Sequence, residues 1–77
     1  MATFELFGTA SCQYTSEVRE WLEMRRADFQ EFDVEIDEDA RRCMRAYVGM
    51  DRTVPVLVQD GKVVQVGWQG RGCVVGE

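Results

Sequence analysis

The sequence predicts an α/β domain in the order strand, helix, strand, helix, two-stranded hairpin, built on a four-stranded mixed sheet. Three observations predict it. Two segments with apolar residues at three- and four-residue steps flank one that alternates apolar with acidic residues; an Asp-Gly pair joins two Val-rich runs; and the tail from Trp68 carries too much glycine for another helix. The chain has 77 residues, enough for one domain, 1–77, and too few for two.

Thr3 to Gly8 is short, rich in aromatic and β-branched residues and ends on glycine, as a first strand does. After the loop Thr9-Ala10-Ser11, Tyr14, Val18, Trp21 and Leu22, with the stem of Arg25, recur at helical steps from about Gln13 to Ala27. Cys12 then stands at the start of that helix. Phe32, Val34 and Ile36 alternate with Glu31, Asp33, Glu35 and Asp37, the period of a strand with one buried face. Asp37 is a natural N-cap for the next helix, whose apolar stripe is Ala40, Cys43, Met44, Tyr47 and Val48 and whose end is Gly49. Cys43, on that stripe, is expected in the core. Val54 to Val58 and Lys62 to Val66, joined through Gln59-Asp60-Gly61, make the hairpin.

The right-handed crossover rule makes the first two strands parallel, and the hairpin adds antiparallel beside the first. That topology brings Cys12, Val54-Pro55 and Gly67-Trp68 to one end of the sheet, the carboxyl edge where α/β sheets bind ligands.

Fourteen acidic against nine basic residues give a net charge of −5, which argues against nucleic acid and anionic membrane as partners. No stretch approaches a membrane span and the first dozen residues do not resemble a signal peptide, so a cytoplasmic location is expected. Cysteines at 12, 43 and 73 fit neither a paired disulfide framework nor a four-ligand zinc set. The absence of histidine removes Cys-His, Ser-His and His-metal chemistry, and no metal site is expected. Thiol chemistry remains. At a helix start, free N–H groups and the dipole hold a thiol ionised, with pKa values of ~3.5–7.5 at such sites. Cys12 is therefore expected to be an exposed nucleophile. Pro55 opens a strand, where its missing N–H is costly unless it serves a turn; a cis bond would leave the Val54 amide and carbonyl free to pair with an extended peptide.

Ser11-Cys12-Gln13-Tyr14-Thr15 between strand and helix, Arg52-Thr53-Val54-Pro55 at a later strand and a hairpin ending near Gly67 together resemble a glutaredoxin over almost the whole chain. The resemblance implies a thioredoxin-like fold with its final helix missing, and a thiol-disulfide oxidoreductase using glutathione as co-substrate with no tightly bound cofactor. It implies Cys12 as nucleophile, Tyr14 as motif tyrosine, Val54 as backbone pair for the glutathione cysteine, Pro55 as a cis-proline facing the nucleophile, and Arg52 as a contact for a glutathione carboxylate. Thr53, Gly67 and Trp68 would border the substrate, with Trp68 packing over the site. Thr15 occupies the second cysteine position of the family motif, which closes the local dithiol route and implies a monothiol route of glutathionylation and deglutathionylation. Its hydroxyl is placed to donate to the thiolate. Gln13 replaces the motif proline, no basic residue stands in the loop before Cys12, and Gly67-Trp68-Gln69-Gly70 replaces the family's Gly-Gly followed by acidic residues.

Cys73 lies six residues past Gly67, a span of up to ~20 Å, and can reach Cys12 to act as a resolving thiol. Two other classes fit less of the sequence. One is a glutathione-dependent 2Fe–2S cluster carrier, whose usual Cys-Gly-Phe-Ser differs from Cys12-Gln13-Tyr14-Thr15; the other is a redox-inactive binding domain using the sheet edge and Trp68. The missing helix leaves part of one sheet face bare, so weak homodimerisation is expected beside the main partners, glutathione and protein thiols or disulfides.

Overall fold

Strand β1 (Thr3–Gly8) runs parallel to β2 (Asp28–Asp33), in register from Thr3↔Asp28 to Gly8↔Asp33, with helix α1 (Gln13–Met24) as the crossover. Helix α2 (Glu38–Val48) leads back to β3 (Thr53–Val54), β4 (Val56–Gln59), β5 (Lys62–Val66) and β6 (Cys73–Val74). The main sheet has the order β2-β1-β4-β5, with β4 antiparallel to both neighbours, and β3 pairs with β6 in a second, two-stranded sheet. This computed structural model describes residues 3–75; Met1, Ala2, Gly76 and Glu77, part of the expected domain and tail, lie outside the described residues.

Side chains alternate across β1, so Leu6 and Phe7 face opposite sides of the sheet and each collects its own core. Leu6 and Leu57 pack with Val18 and Leu22 of α1, whereas Phe7, Val56 and Val58 pack with Val34 and with Ala40 and Met44 of α2. A helix therefore covers each face. Asp37 caps α2 by accepting the Ala40 N–H at 3.1 Å, and Gly49, at φ 69°, closes it. Asp60 and Gly61, at φ 52° and 81°, form the mirror-type two-residue turn that suits the twist of a hairpin.

Three expectations need correction. The second strand starts at Asp28, not near Glu31, because pairing with β1 governs it and ends where β1 ends. Val34 N–H still reaches the Gly8 carbonyl at 2.9 Å; beyond it Asp33 turns the chain by accepting from Glu35 and Asp37, and Ile36 is left 83% exposed. Cys43 is exposed rather than core. It lies about 60° round α2 from Ala40 and about 100° from Met44, on the flank of the buried stripe. The expected strand Val54 to Val58 is split at Pro55, which has no N–H for the ladder, into β3 and β4 with different partners. The glycine-rich tail forms no helix, as expected, and takes up a turn and a strand instead. Trp68 and Arg71 exchange backbone hydrogen bonds of 2.6 and 2.9 Å around Gln69 and Gly70, both with positive φ, and this second tight turn sends β6 back along β3.

The same turn adds to the α1 side of the sheet. Trp68 packs on the α1-side core with its ring edge-on to Trp21, centroids 5.7 Å apart, and the Arg25 guanidinium lies 4.4 Å over Trp21. Val63, Val64 and Val66 of edge strand β5 stay substantially exposed. In a Trp21→Ala, Trp68→Ala double-mutant cycle followed by urea unfolding, the two rings should couple by about 1 kcal/mol; a coupling near zero would show that Trp68 does not help to close the α1-side core.

Candidate active site

Gly8 ends β1, Val56 opposite Phe7 begins β4, and Val66 opposite Val56 ends β5, so the segments following or preceding these residues meet at one end of the sheet. Cys12 is the N-cap of α1, with extended backbone at φ −89° and ψ 117°, and no acidic residue stands in the first helical turn. The Val54-Pro55 peptide is cis and both residues are buried. Gly67, at φ 80°, donates its N–H to the Pro55 carbonyl at 2.7 Å. From there the tail turn lays β6 antiparallel on β3, with Val54 opposite Cys73 and Thr53 opposite Val74.

The ladder continues to Val75, whose N–H donates to the Arg52 carbonyl at 2.9 Å. Antiparallel pairs alternate, so two residues further along each strand Val54 and Cys73 form the next hydrogen-bonded pair. Cys73 is thereby fixed beside Cys12, and its S–H meets the Cys12 sulfur. The two thiols are free of any disulfide, as is Cys43.

Burial opposes charge on Cys12, but the Cys73 S–H, the Thr15 hydroxyl and the N–H groups of Thr15 and Tyr14 together outweigh it and bring its pKa below that of an ordinary thiol. Cys73 moves the other way: its proton is held by the bond to Cys12, and burial and the Cys12 charge add to the rise. Cys12 makes no side-chain capping bond, and the buried Thr15 hydroxyl has no partner other than the sulfur it faces. Both conditions suit a sulfur that accepts these donors once it is charged.

The remaining candidate residues divide by position. Tyr14 is half-buried and packs on the core that holds Cys12. Thr15 lies against Gly8, where any Cβ would collide with it. Arg52 is exposed and, with Arg41, Arg45 and Asp51, lines a shallow cleft beside Val75. Thr53 N–H donates to the Asp51 carboxylate at 2.9 Å, a bond that holds the Asp51 pKa low and fixes the turn into β3. Trp68 is placed on Trp21 instead of over Cys12. Cys12 itself is 1% exposed, not open as its loop position suggests, because it joins the core cluster of Val54 and Val75, against which Cys73 and Tyr14 pack. Sequence reading passes over Gly72. A Cβ there would lie 2.7 Å from the Val54 carbonyl oxygen and 2.8 Å from Thr53 Cγ2, and the available signal was a glycine directly before a cysteine.

Comparison with known proteins agrees with this fold. The family model for glutaredoxin matches residues 4–64, ending before the tail turn. The solved thioredoxin-like protein BC3987, in mutant form, is similar at 32% identity with a TM-score of 0.74, covering 86% of this chain and 82% of its own. Glutaredoxin 1 from Francisella tularensis, solved with cacodylate, superposes with a TM-score of 0.57 at 19% identity over 88% of this chain and 85% of its own, a likeness of fold. No curated protein matches the chain.

Because the folded pKa of Cys12 is lowered, its ionisation stabilises the fold above the ordinary thiol pKa, and that gain is lost as pH falls through the lowered value; the raised Cys73 contributes below the ordinary value and loses its share as pH rises through its own. Ultraviolet titration of thiolates should resolve an early Cys12 step and a late Cys73 step. In Cys73→Ala the Cys12 step should move up, and in Cys12→Ala the Cys73 step should move down; unmoved steps would contradict the contact.

Proposed function

The chain belongs to the glutaredoxin family, and from that membership we propose that it acts as one domain in thiol–disulfide exchange, with Cys12 as nucleophile, glutathione as co-substrate and Cys73 as resolving thiol. The observation that carries this reading is the contact of a low-pKa sulfur at a helix start with the thiol of a strand paired to Val54.

The Cys12 thiolate attacks one sulfur of a glutathione-containing disulfide, forming a Cys12–glutathione disulfide while the partner sulfur leaves as a thiolate and takes up a proton. A second glutathione, deprotonated, then attacks the glutathione sulfur, releasing oxidised glutathione and restoring Cys12 by the monothiol route. Alternatively Cys73 gives up its proton and attacks the Cys12 sulfur, expelling glutathione and leaving a Cys12–Cys73 disulfide, which two further glutathione molecules reduce. Tyr14 and Thr15 hold the thiolate through their N–H groups. Val54 offers backbone pairing, Pro55 and Gly67 hold that edge in place, and Arg52 supports binding of a substrate carboxylate.

Three unpaired thiols suit a reducing compartment such as the cytoplasm, and the exposed valines of β5 support weak self-association. A 2Fe–2S carrier is less well supported, since Cys12-Gln13-Tyr14-Thr15 departs from the Cys-Gly-Phe-Ser such carriers usually show.

After oxidised glutathione is added, mass spectrometry should find Cys73→Ser held as a stable Cys12–glutathione adduct, whereas the native chain passes through that adduct to an internal disulfide. Cys12→Ser should lose at least ~100-fold in exchange rate. Retention of activity without Cys12, or modification of Cys43 at the same rate as Cys12, would overturn the reading.

A further inference from the structure

The edge of Thr53–Val54 is occupied by the protein's own chain. Gly72-Cys73-Val74 lies on it antiparallel, with Cys73 in the hydrogen-bonded pair opposite Val54 and its thiol on Cys12, and this strand helps leave Cys12 only 1% exposed. An incoming cysteine cannot use the same backbone groups, or approach the same sulfur, while β6 is docked. We propose that β6 is a tethered substrate strand: the site takes a cysteine whose preceding acyl carbon is unbranched, and Gly72-Cys73 fills that place until an external disulfide displaces it.

The unbranched requirement comes from Gly72. Its φ lies outside the left-handed region, so glycine is not needed there for its backbone angle; the need is space, because a Cβ would meet the Val54 carbonyl oxygen at 2.7 Å and Thr53 Cγ2 at 2.8 Å. The carbonyl oxygen belongs to a buried residue next to Pro55 and cannot move aside as a side chain would. Two chemical types meet the requirement. A glycyl-cysteine has a methylene before the acyl carbon, and so has the γ-glutamyl linkage of glutathione. An ordinary α-linked residue places a branched carbon there. The tail thus presents the same local shape as glutathione, and the two compete for one edge.

This proposal rests on the exchange chemistry above and adds the order of events. β6 lifts, the Cys12 thiolate attacks the external sulfur and expels the partner thiolate, then β6 returns and Cys73, having lost its proton, displaces the bound thiol from Cys12. Lifting exposes few groups: β3 and β6 pair over two residues each, joined by the Val75–Arg52 bond and by the turn at Gly67 to Arg71.

Two measurements test it. Gly72→Ala should weaken docking while keeping every cysteine, so iodoacetamide should alkylate Cys12 about tenfold faster in its pH-independent plateau, equivalent to about 1.4 kcal/mol of lost docking. A rate equal to the native one would overturn the tethered strand. With the native chain, disulfide-linked dimers of the tripeptides Gly-Cys-Val and Ala-Cys-Val are compared with oxidised glutathione. Gly-Cys-Val and glutathione should modify Cys12 at rates within a few-fold of each other and Ala-Cys-Val about tenfold more slowly; equal rates for the two peptides would overturn the selectivity. Failure of all three disulfides to modify Cys12 in either chain would instead remove the exchange chemistry itself.

Discussion

The pairing of Val54 with Cys73 is the constraint on which the site depends. A two-residue strand is a weak element alone, but this one is pinned at both ends: by the Gly67–Pro55 bond and the Trp68–Arg71 turn on one side, and by the Val75–Arg52 bond on the other. Its effect is to bring two thiols 61 positions apart in the chain into hydrogen-bond contact and to close the Cys12 sulfur off from solvent.

Burial and activation, which usually oppose each other for a thiol, are reconciled by this arrangement. Desolvation alone would raise the Cys12 pKa and make the sulfur inert. The donors around it are local and cheap to organise: two N–H groups of the first turn of α1, the Thr15 hydroxyl pressed against Gly8, and the Cys73 S–H. Three of the four belong to α1 and stay when β6 departs. On the proposed exchange, the sulfur would keep most of its charge-stabilising shell once uncovered, the condition under which a covered thiolate can still react.

Much of this was legible in the sequence because it is written in local patterns. The helical steps of Val18 and Leu22, the Asp37 cap and the Asp60-Gly61 turn each act within a few residues, and the structure contains all of them. The convergence of Cys12, Val54 and Gly67 followed from the crossover rule together with the antiparallel hairpin. What escaped were features set by pairing across the fold. Ile36 continues the alternation of Phe32 and Val34, yet β1 has already ended opposite Asp33, so nothing remains for it to pair with. Cys43 fits the apolar stripe as a residue type but sits on its flank as an angle. The glycines of the tail exclude a helix without saying what replaces it; in the fold Gly70 serves a positive-φ turn and Gly72 a close approach, roles that composition does not disclose. The burial of Cys12 follows from the same omission, since β6 is what lies against it.

Disulfide mapping of the native chain after limited oxidation tests the central claim most directly. If β6 holds Cys73 on Cys12, proteolytic fragments containing these two residues should be recovered linked to each other, with Cys43 left as a free thiol. Recovery of Cys12 joined to Cys43, or of Cys12 oxidised while Cys73 stays free, would contradict it.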